Sequence, residues 1–302
     1  LVTEGPLGRS ALAAARKIGI PVSSDFHTNF HSYSRHYGLG WLQKTVADYL
    51  RNLHNRTDTT LVPTQELRDT LAQDGYQNLQ VVARGVDTRL FHPGKRSLEL
   101  RRKWGVADDE LAVIYVGRIS AEKNLPLVLR AFHAMQFINP NSKLVLVGDG
   151  PIRAELQQQH PQHIFSGMRT GEDLAAHYAA GDIFLFASMT ETYGNVTVEA
   201  MASGLAVVAY RYAAAAEHIV HDENGLHAEF GNEDEFIQLA RDLAKDAERI
   251  NKLRTRSHRT MLKLDWQHIV DEFEQALAQL ALKQEVRHAT TKLQPATDSN
   301  LG

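Results

Sequence analysis

At 302 residues the chain is long enough for about two domains and for a core that needs no disulfide or metal staple. Lys and Arg number 33 against 36 Asp and Glu, and a net charge of −3 excludes the basic footprint of a general nucleic-acid binder. Cysteine is absent, which excludes a disulfide scaffold and any thiolate-held zinc or iron–sulfur centre, and fits a reducing compartment.

Short apolar, β-branched runs alternate with helical patterns along most of the length, the mark of an α/β protein with parallel strands buried on both faces. The first 90 residues or so carry strand signals at Pro21 to Ser24, Thr59 to Val62 and Gln80 to Ala83. Between them Trp41 to Asn55 reads as a helix, with Leu42, Val46, Tyr49, Leu50 and Leu53 on one face. Thr88 to Gly94 has the Pro and Gly of a hinge, and divides a unit at 1–92 from one at 93–265. In the second unit Leu111 to Gly117, Lys143 to Val147, Ile164-Phe165, Asp182 to Ala187, Leu205 to Tyr210 and Leu226 to Glu229 predict a Rossmann-like sheet of about six strands. Asn232 and Glu235 resemble a capping box. A last helix over 266–282, with Ile269, Phe273 and Leu277 on one side, packs back toward the amino-terminal unit, and polar, aperiodic 283–302 reads as a disordered tail. There is no internal repeat, no apolar run near the roughly 20 residues of a membrane span, and no signal-peptide pattern.

Chemistry concentrates where strands give way to helices. Glu191-Thr192-Tyr193-Gly194-Asn195 follows the strand at 182–187, and Glu199 lies one turn into the next helix. The Glu pair is a weak motif by spacing alone. Its context is stronger, because open α/β sheets bind ligands at the carboxyl ends of their strands and a helix start offers free N–H groups. Arg118 and Lys123 follow another strand, where a guanidinium fork and a point charge suit a diphosphate. Asp149, before Pro151 at the first turn of a helix, reads as a cap, and Asp87 as a turn residue. His27 ends the first strand, a place for a general acid, a base or a satisfied structural histidine, one of 15 in the chain. Arg35, Lys44, Arg51 and Arg56 against Asp48, beside Tyr37, Leu39 and Trp41, fit either a solvated helix face or a membrane-surface patch.

The order Gly117-Arg118-x-Ser120-x-Glu122-Lys123-Asn124, then Val147 to Pro151, then Glu191 to Leu205 resembles the donor-binding domain of the family 4 retaining glycosyltransferases of GT-B architecture, over about Ala83 to Leu282. Thr3 to Gly8, Phe26 to Phe30, Arg84 to Asp87 and Tyr212 to Glu217 look most like the bacterial GDP-mannose-dependent alpha-mannosyltransferases that act on glycolipids. The resemblance implies two Rossmann-like domains, acceptor-side and donor-side, and a hexosyltransferase that needs no bound metal or cofactor. In it Arg118 and Lys123 hold the nucleotide diphosphate, Glu191 and the backbone of Tyr193, Gly194 and Asn195 hold the donor sugar, and Glu199 binds the ribose hydroxyls. The backbone near Met168 meets the base and His27 reaches the transferred sugar. The partners implied are a nucleotide sugar and a lipid or glycolipid acceptor, and the location is the cytoplasm, at the inner face of the membrane. A UDP-sugar-dependent transferase, a nucleotide-sugar epimerase of the same fold and an inactive nucleotide-binding fragment stay open.

The sequence departs from the family pattern in three places. Ala187 stands where proline is usual, and Ala213 to Ala216 stand where many relatives have a glycine pair. The strand and glycine-rich loop that open a GT-B amino-terminal domain have no counterpart before Leu1, so that domain is expected to be incomplete, with an exposed sheet edge that lowers solubility or activity.

Overall fold

The structure is a computed structural model and describes residues 1–26, 43–264 and 266–293. It resolves into two compact α/β units, one built from residues 1–26, 44–83 and 267–293, the other from 84–266. No helix among the described residues is long and apolar enough to cross a membrane.

In the first unit, α1 (Pro6–Lys17), β1 (Ser23–Asp25), α2 (Gln43–His54), β2 (Thr59–Val62), α3 (Gln65–Gln73) and β3 (Leu79–Val81) give a three-stranded parallel sheet in the order β1-β2-β3. Pro6 starts α1, where a missing N–H costs nothing, and Thr64 caps α3 by accepting from the Leu67 N–H at 3.1 Å. A small core of Phe26, Leu50, Val62, Leu71 and Tyr76 closes the unit. Ser24 joins it through a buried hydroxyl cluster, 2.9 Å from each of His54 Nδ1, Thr57 Oγ1 and Thr60 Oγ1.

The second unit runs α4 (Leu98–Lys103), β4 (Ala112–Val116), α5 (Leu125–Gln136), β5 (Lys143–Val147), α6 (Arg153–Gln159), β6 (Ile164–Gly167), α7 (Gly171–Ala180), β7 (Ile183–Phe186), α8 (Asn195–Ala202), β8 (Ala206–Tyr210), α9 (Ala214–His218), β9 (Leu226–Ala228), α10 (Glu233–Leu243) and α11 (Ala247–Met261). Its six strands are all parallel, in the order β6-β5-β4-β7-β8-β9. That is the doubly wound order, which reverses direction between β4 and β7 and opens a crevice at their carboxyl ends. Every residue of β4, β7 and β8 is buried, as continuous Val, Ile, Phe and Ala runs with helices on both faces require. Half of the expected capping box forms: Asn232 Oδ1 accepts from the Glu235 N–H at 3.2 Å, but the Asn232 N–H donates to the Glu229 carbonyl, and the Glu235 carboxylate turns back to the Glu229 N–H at 2.9 Å instead.

The carboxyl end of the chain differs from its sequence reading. Helix α12 (Trp266–Leu293) runs eleven residues past Leu282, through the stretch read as tail. Seven of the eleven extra residues are Lys, Gln, Glu, Arg, Ala or Leu, good helix formers that outweigh Val286, His288, Thr290 and Thr291, and no Gly or Pro comes before Pro295, so weak apolar periodicity does not stop the helix. Residues 294–302 lie outside the described residues. Among the described residues of α12 the buried ones are Ile269 and Ala276, while Phe273 is 41% exposed. At 100° per residue, positions seven apart return to within about 20° of one another, whereas steps of four drift by about 40° each time.

Candidate functional site

Sheet order decides which loops meet. The segment after β4 and the segment after β7 leave neighbouring strands at the reversal point, and Lys123 of the first forms an ion pair with the Glu191 carboxylate of the second. Lys123 Nζ lies 3.4 Å from the Thr190 carbonyl and 5.9 Å from the centre of the Phe186 ring, so the ammonium is held on three sides and its side chain is only 11% exposed. The Met189 N–H donates to the Glu122 carbonyl at 3.1 Å, tying the same two loops through backbone. The Glu191 carbonyl accepts from Tyr212 Oη at 2.8 Å, which steadies the loop from the β8 side.

The loops pack so closely that glycine is required. A Cβ on Gly148, whose φ is +135°, would lie 1.9 Å from the Gly117 carbonyl oxygen. Gly194 takes the left-handed conformation, φ 90° and ψ 57°, at the position that starts α8. The turn after β5 corrects two sequence readings. Asp149 does not cap α6: its Oδ1 accepts from the Gly150 N–H at 2.8 Å and its Oδ2 lies 3.5 Å from Arg153. Pro151 precedes the helix and its N-cap, Ile152, because the turn is pinned to the loop after β4 by Ile119 N–H to Asp149 O at 2.9 Å and Ile152 N–H to Ile119 O at 3.3 Å. Asp87 is the turn residue expected, its Oδ1 accepting from the N–H groups of Arg89 and Leu90 at 3.0 and 2.9 Å.

Glu199 faces α7, where its Oε2 accepts from Tyr178 Oη at 2.8 Å. Burial pushes the Glu199 carboxyl above its ordinary range against that hydrogen bond, and burial with the Glu199 charge beside it raises the Tyr178 phenol far more. The second carboxylate oxygen has no hydrogen bond among the described residues. Arg118 is exposed on the loop after β4, its carbonyl taken by Tyr115 Oη at 2.9 Å and its guanidinium unpaired among the described residues. Met168 is 67% exposed at the carboxyl end of β6. Asn195 is exposed at the first turn of α8, and Tyr193 is buried. His27, and Arg35 to Trp41 of the basic–aromatic patch, lie outside the described residues.

Two groups, His218 and Asp182, were not read from the sequence. Tyr193 Oη donates to the Arg84 carbonyl at 2.8 Å and stands 2.9 Å from His218 Nε2. The phenol has one proton, so His218 must donate to it from Nε2 while neutral, and burial holds this imidazole down at about 4. A base depressed from about 6.5 leaves the folded state with fewer protons than the unfolded chain between those two values, so stability falls as pH drops through that window. Between pH 7 and pH 5 this residue alone should remove about 2 kcal/mol. Urea titrations at the two pH values check it, since His218→Gln should lose that much less than the wild type. The second group is Asp182, 4% exposed at the amino end of β7, which gathers Arg96, Arg101 and Arg254. No motif marks it. Arg101 differs from Arg102 only in helical phase, yet Arg101 is fully buried.

Ala213 has φ 51° and ψ −130°, a backbone region that favours glycine, at the position flagged as a departure from the family pattern.

The glycosyl transferases group 1 model matches residues 97–260, more than half of the chain, and the Glycosyltransferase Family 4 model matches residues 1–90. The chain belongs to the group 1 glycosyl transferases. Among relatives of this family member, the GDP-mannose-dependent alpha-mannosyltransferase of Corynebacterium glutamicum is 32% identical over 90% of this chain and 62% of its own length. The alpha-monoglucosyldiacylglycerol synthase of Streptococcus pneumoniae is 32% identical over 69% of this chain and 50% of its own length. The chain thus spans about half to three fifths of these relatives. In fold it matches the Anabaena protein HepE, crystallised with UDP and glucose, with a TM-score of 0.78 at 23% identity over 92% of this chain and 76% of that one. The two Rossmann-like units are those of the GT-B class.

Proposed function

We propose that this chain is a retaining hexosyltransferase that moves mannose from GDP-mannose to a membrane glycolipid. The observation that carries the reading is the Lys123–Glu191 pair at the reversal point of a doubly wound sheet, in a chain of the group 1 glycosyl transferases. Arg118 and Lys123 then take the diphosphate, and the first N–H groups of α8, which have no intrahelical acceptor, lie beside Glu191 and the donor sugar. Glu199 accepts a ribose hydroxyl with the oxygen that Tyr178 leaves free. The leaving diphosphate carries the developing negative charge, and two cationic side chains stabilise it where another enzyme would use a metal ion. Mannose is favoured because a relative matching nine tenths of the chain is named for GDP-mannose. A lipid acceptor is supported by the synthase of a glucosyl lipid among the relatives, and would place the protein at a membrane surface from the cytoplasmic side.

Calorimetry with GDP and UDP tests the donor. GDP should bind, UDP more weakly, and Glu199→Ala should weaken GDP by about tenfold or more, since a hydrogen bond to a charged group contributes about 1.5–3 kcal/mol. Absence of binding by either nucleotide at millimolar concentration, or affinity unchanged in Glu199→Ala, would remove the basis for the assignment.

A further inference from the structure

We propose that His133, His160 and His163 form a site for a divalent transition-metal ion, zinc in the first place, at the amino end of the edge strand β6. The three side chains come from different elements: His133 from the last turn of α5, His160 from the residue that ends α6, and His163 from the position directly before β6. Their ligand nitrogens all lie within 4.8 Å of one another. The ring centres of His133 and His163 are 5.7 Å apart and those of His160 and His163 5.9 Å, with Phe132 set edge-on behind His163 at 5.3 Å.

Nitrogens bound to a tetrahedral zinc at about 2.05 Å stand about 3.3 Å apart. Closing from the observed spacing is a matter of rotating imidazoles. The backbone need not move, because the turn is already fixed by the His163 N–H to His160 O bond at 3.1 Å, with Pro161 inside it. Burial is graded across the cluster: His163 is 7% exposed, His160 intermediate and His133 exposed, so the site has an inner wall and a mouth open to water. Among the described residues no hydrogen bond claims a ring nitrogen of His133 or His160, leaving lone pairs available. Three imidazoles without a carboxylate suit zinc, nickel or copper rather than magnesium or calcium, and three protein ligands leave a fourth position for water. Among the described residues no carboxylate orients the rings, which makes the site weaker than a fully supported one by about 10-fold to 100-fold. His163 enters β6 at the end of the strand opposite Gly167, and the loops that carry Lys123 and Glu191 leave their strands at that opposite, carboxyl edge. The ion would therefore brace the corner of α5, α6 and β6, apart from the crevice.

The full chain, stripped with chelator, is titrated with zinc sulfate by calorimetry, and with cobalt chloride by visible absorption, which reports four-coordinate geometry. One equivalent of zinc should bind, with affinity falling at least 10-fold in His133→Asn and in His160→Asn and unchanged in His221→Asn, which breaks the other close histidine pair, His221 and His227, at 5.0 Å. Zinc should raise the Tm of the wild type and not that of His133→Asn, whose side chain is exposed and whose metal-free Tm should match the wild type. No stoichiometric binding, binding lost in His221→Asn, or zinc affinity unchanged in His133→Asn would each overturn the site.

Discussion

Replacing Asp182 with alanine should destabilise the second unit by about 3–5 kcal/mol, a large share of a total domain stability of about 5–15. The carboxylate lies 2.8 Å from Arg96, 2.9 Å from Arg101 and 3.2 Å from Arg254, and accepts from the Ala112 N–H at 2.9 Å. Removing it leaves a fully buried guanidinium without its counter-charge, since the other acceptors of Arg101 are the neutral carbonyls of Ala180, Ala107 and Glu110. An uncompensated buried charge is far more expensive than the ion pair was worth. In a unit of this size the loss corresponds to a fall in Tm on the order of 10 °C. Thermal melts followed by circular dichroism read it directly. Asp182→Asn, which keeps acceptor oxygen but not charge, should fall between the two. An alanine variant that melts within about 2 °C of wild type would show that the three arginines find other partners.

The second large effect belongs to Lys123. Lys123→Ala should lower kcat by about 100-fold to 1,000-fold, as loss of one preorganised group at a developing negative charge does elsewhere. The ammonium is fixed by Glu191, the Thr190 carbonyl and the Phe186 ring, so little reorganisation is needed when charge develops. Lys123→Arg should not restore the rate, because a planar fork does not fit a space shaped for a compact head in a side chain 11% exposed. Steady-state assays with GDP-mannose and a membrane lipid extract, beside a melting curve to confirm folding, decide the matter; turnover at the wild-type level in Lys123→Ala sinks the role.

Much of this architecture was legible from residues alone. The strands at Thr59 to Val62 and Lys143 to Val147 coincide with their apolar runs, and the others fall within one or two residues, because buried parallel strands leave unbroken Val, Ile and Leu signals between polar turns. Both halves of the Lys123–Glu191 pair were read as edge residues. Their contact was not, since it depends on β4 lying beside β7 across 68 residues of chain, and periodicity carries no strand order. Asp182 and its arginines stayed hidden for a related reason: nothing local separates a buried ion pair made over 72 to 86 residues from ordinary surface charge. Asp149 was misread because an acid ahead of a proline fits a cap, while the observed turn spends that carboxylate on Gly150 and Arg153.

The salt bridge across the crevice has a consequence for the order of events. Glu191 serves as the counter-ion of Lys123, so on the proposed reading an arriving diphosphate competes with a carboxylate already in contact. A sugar-bearing diphosphate carries two negative charges against the carboxylate's one, so it can win that exchange. Once the ammonium changes partner, Glu191 becomes a free acceptor at the start of α8, beside the position assigned to the sugar. On that reading, gripping the phosphate arms the loop assigned to the hexose, and an empty crevice leaves that loop occupied with its own lysine.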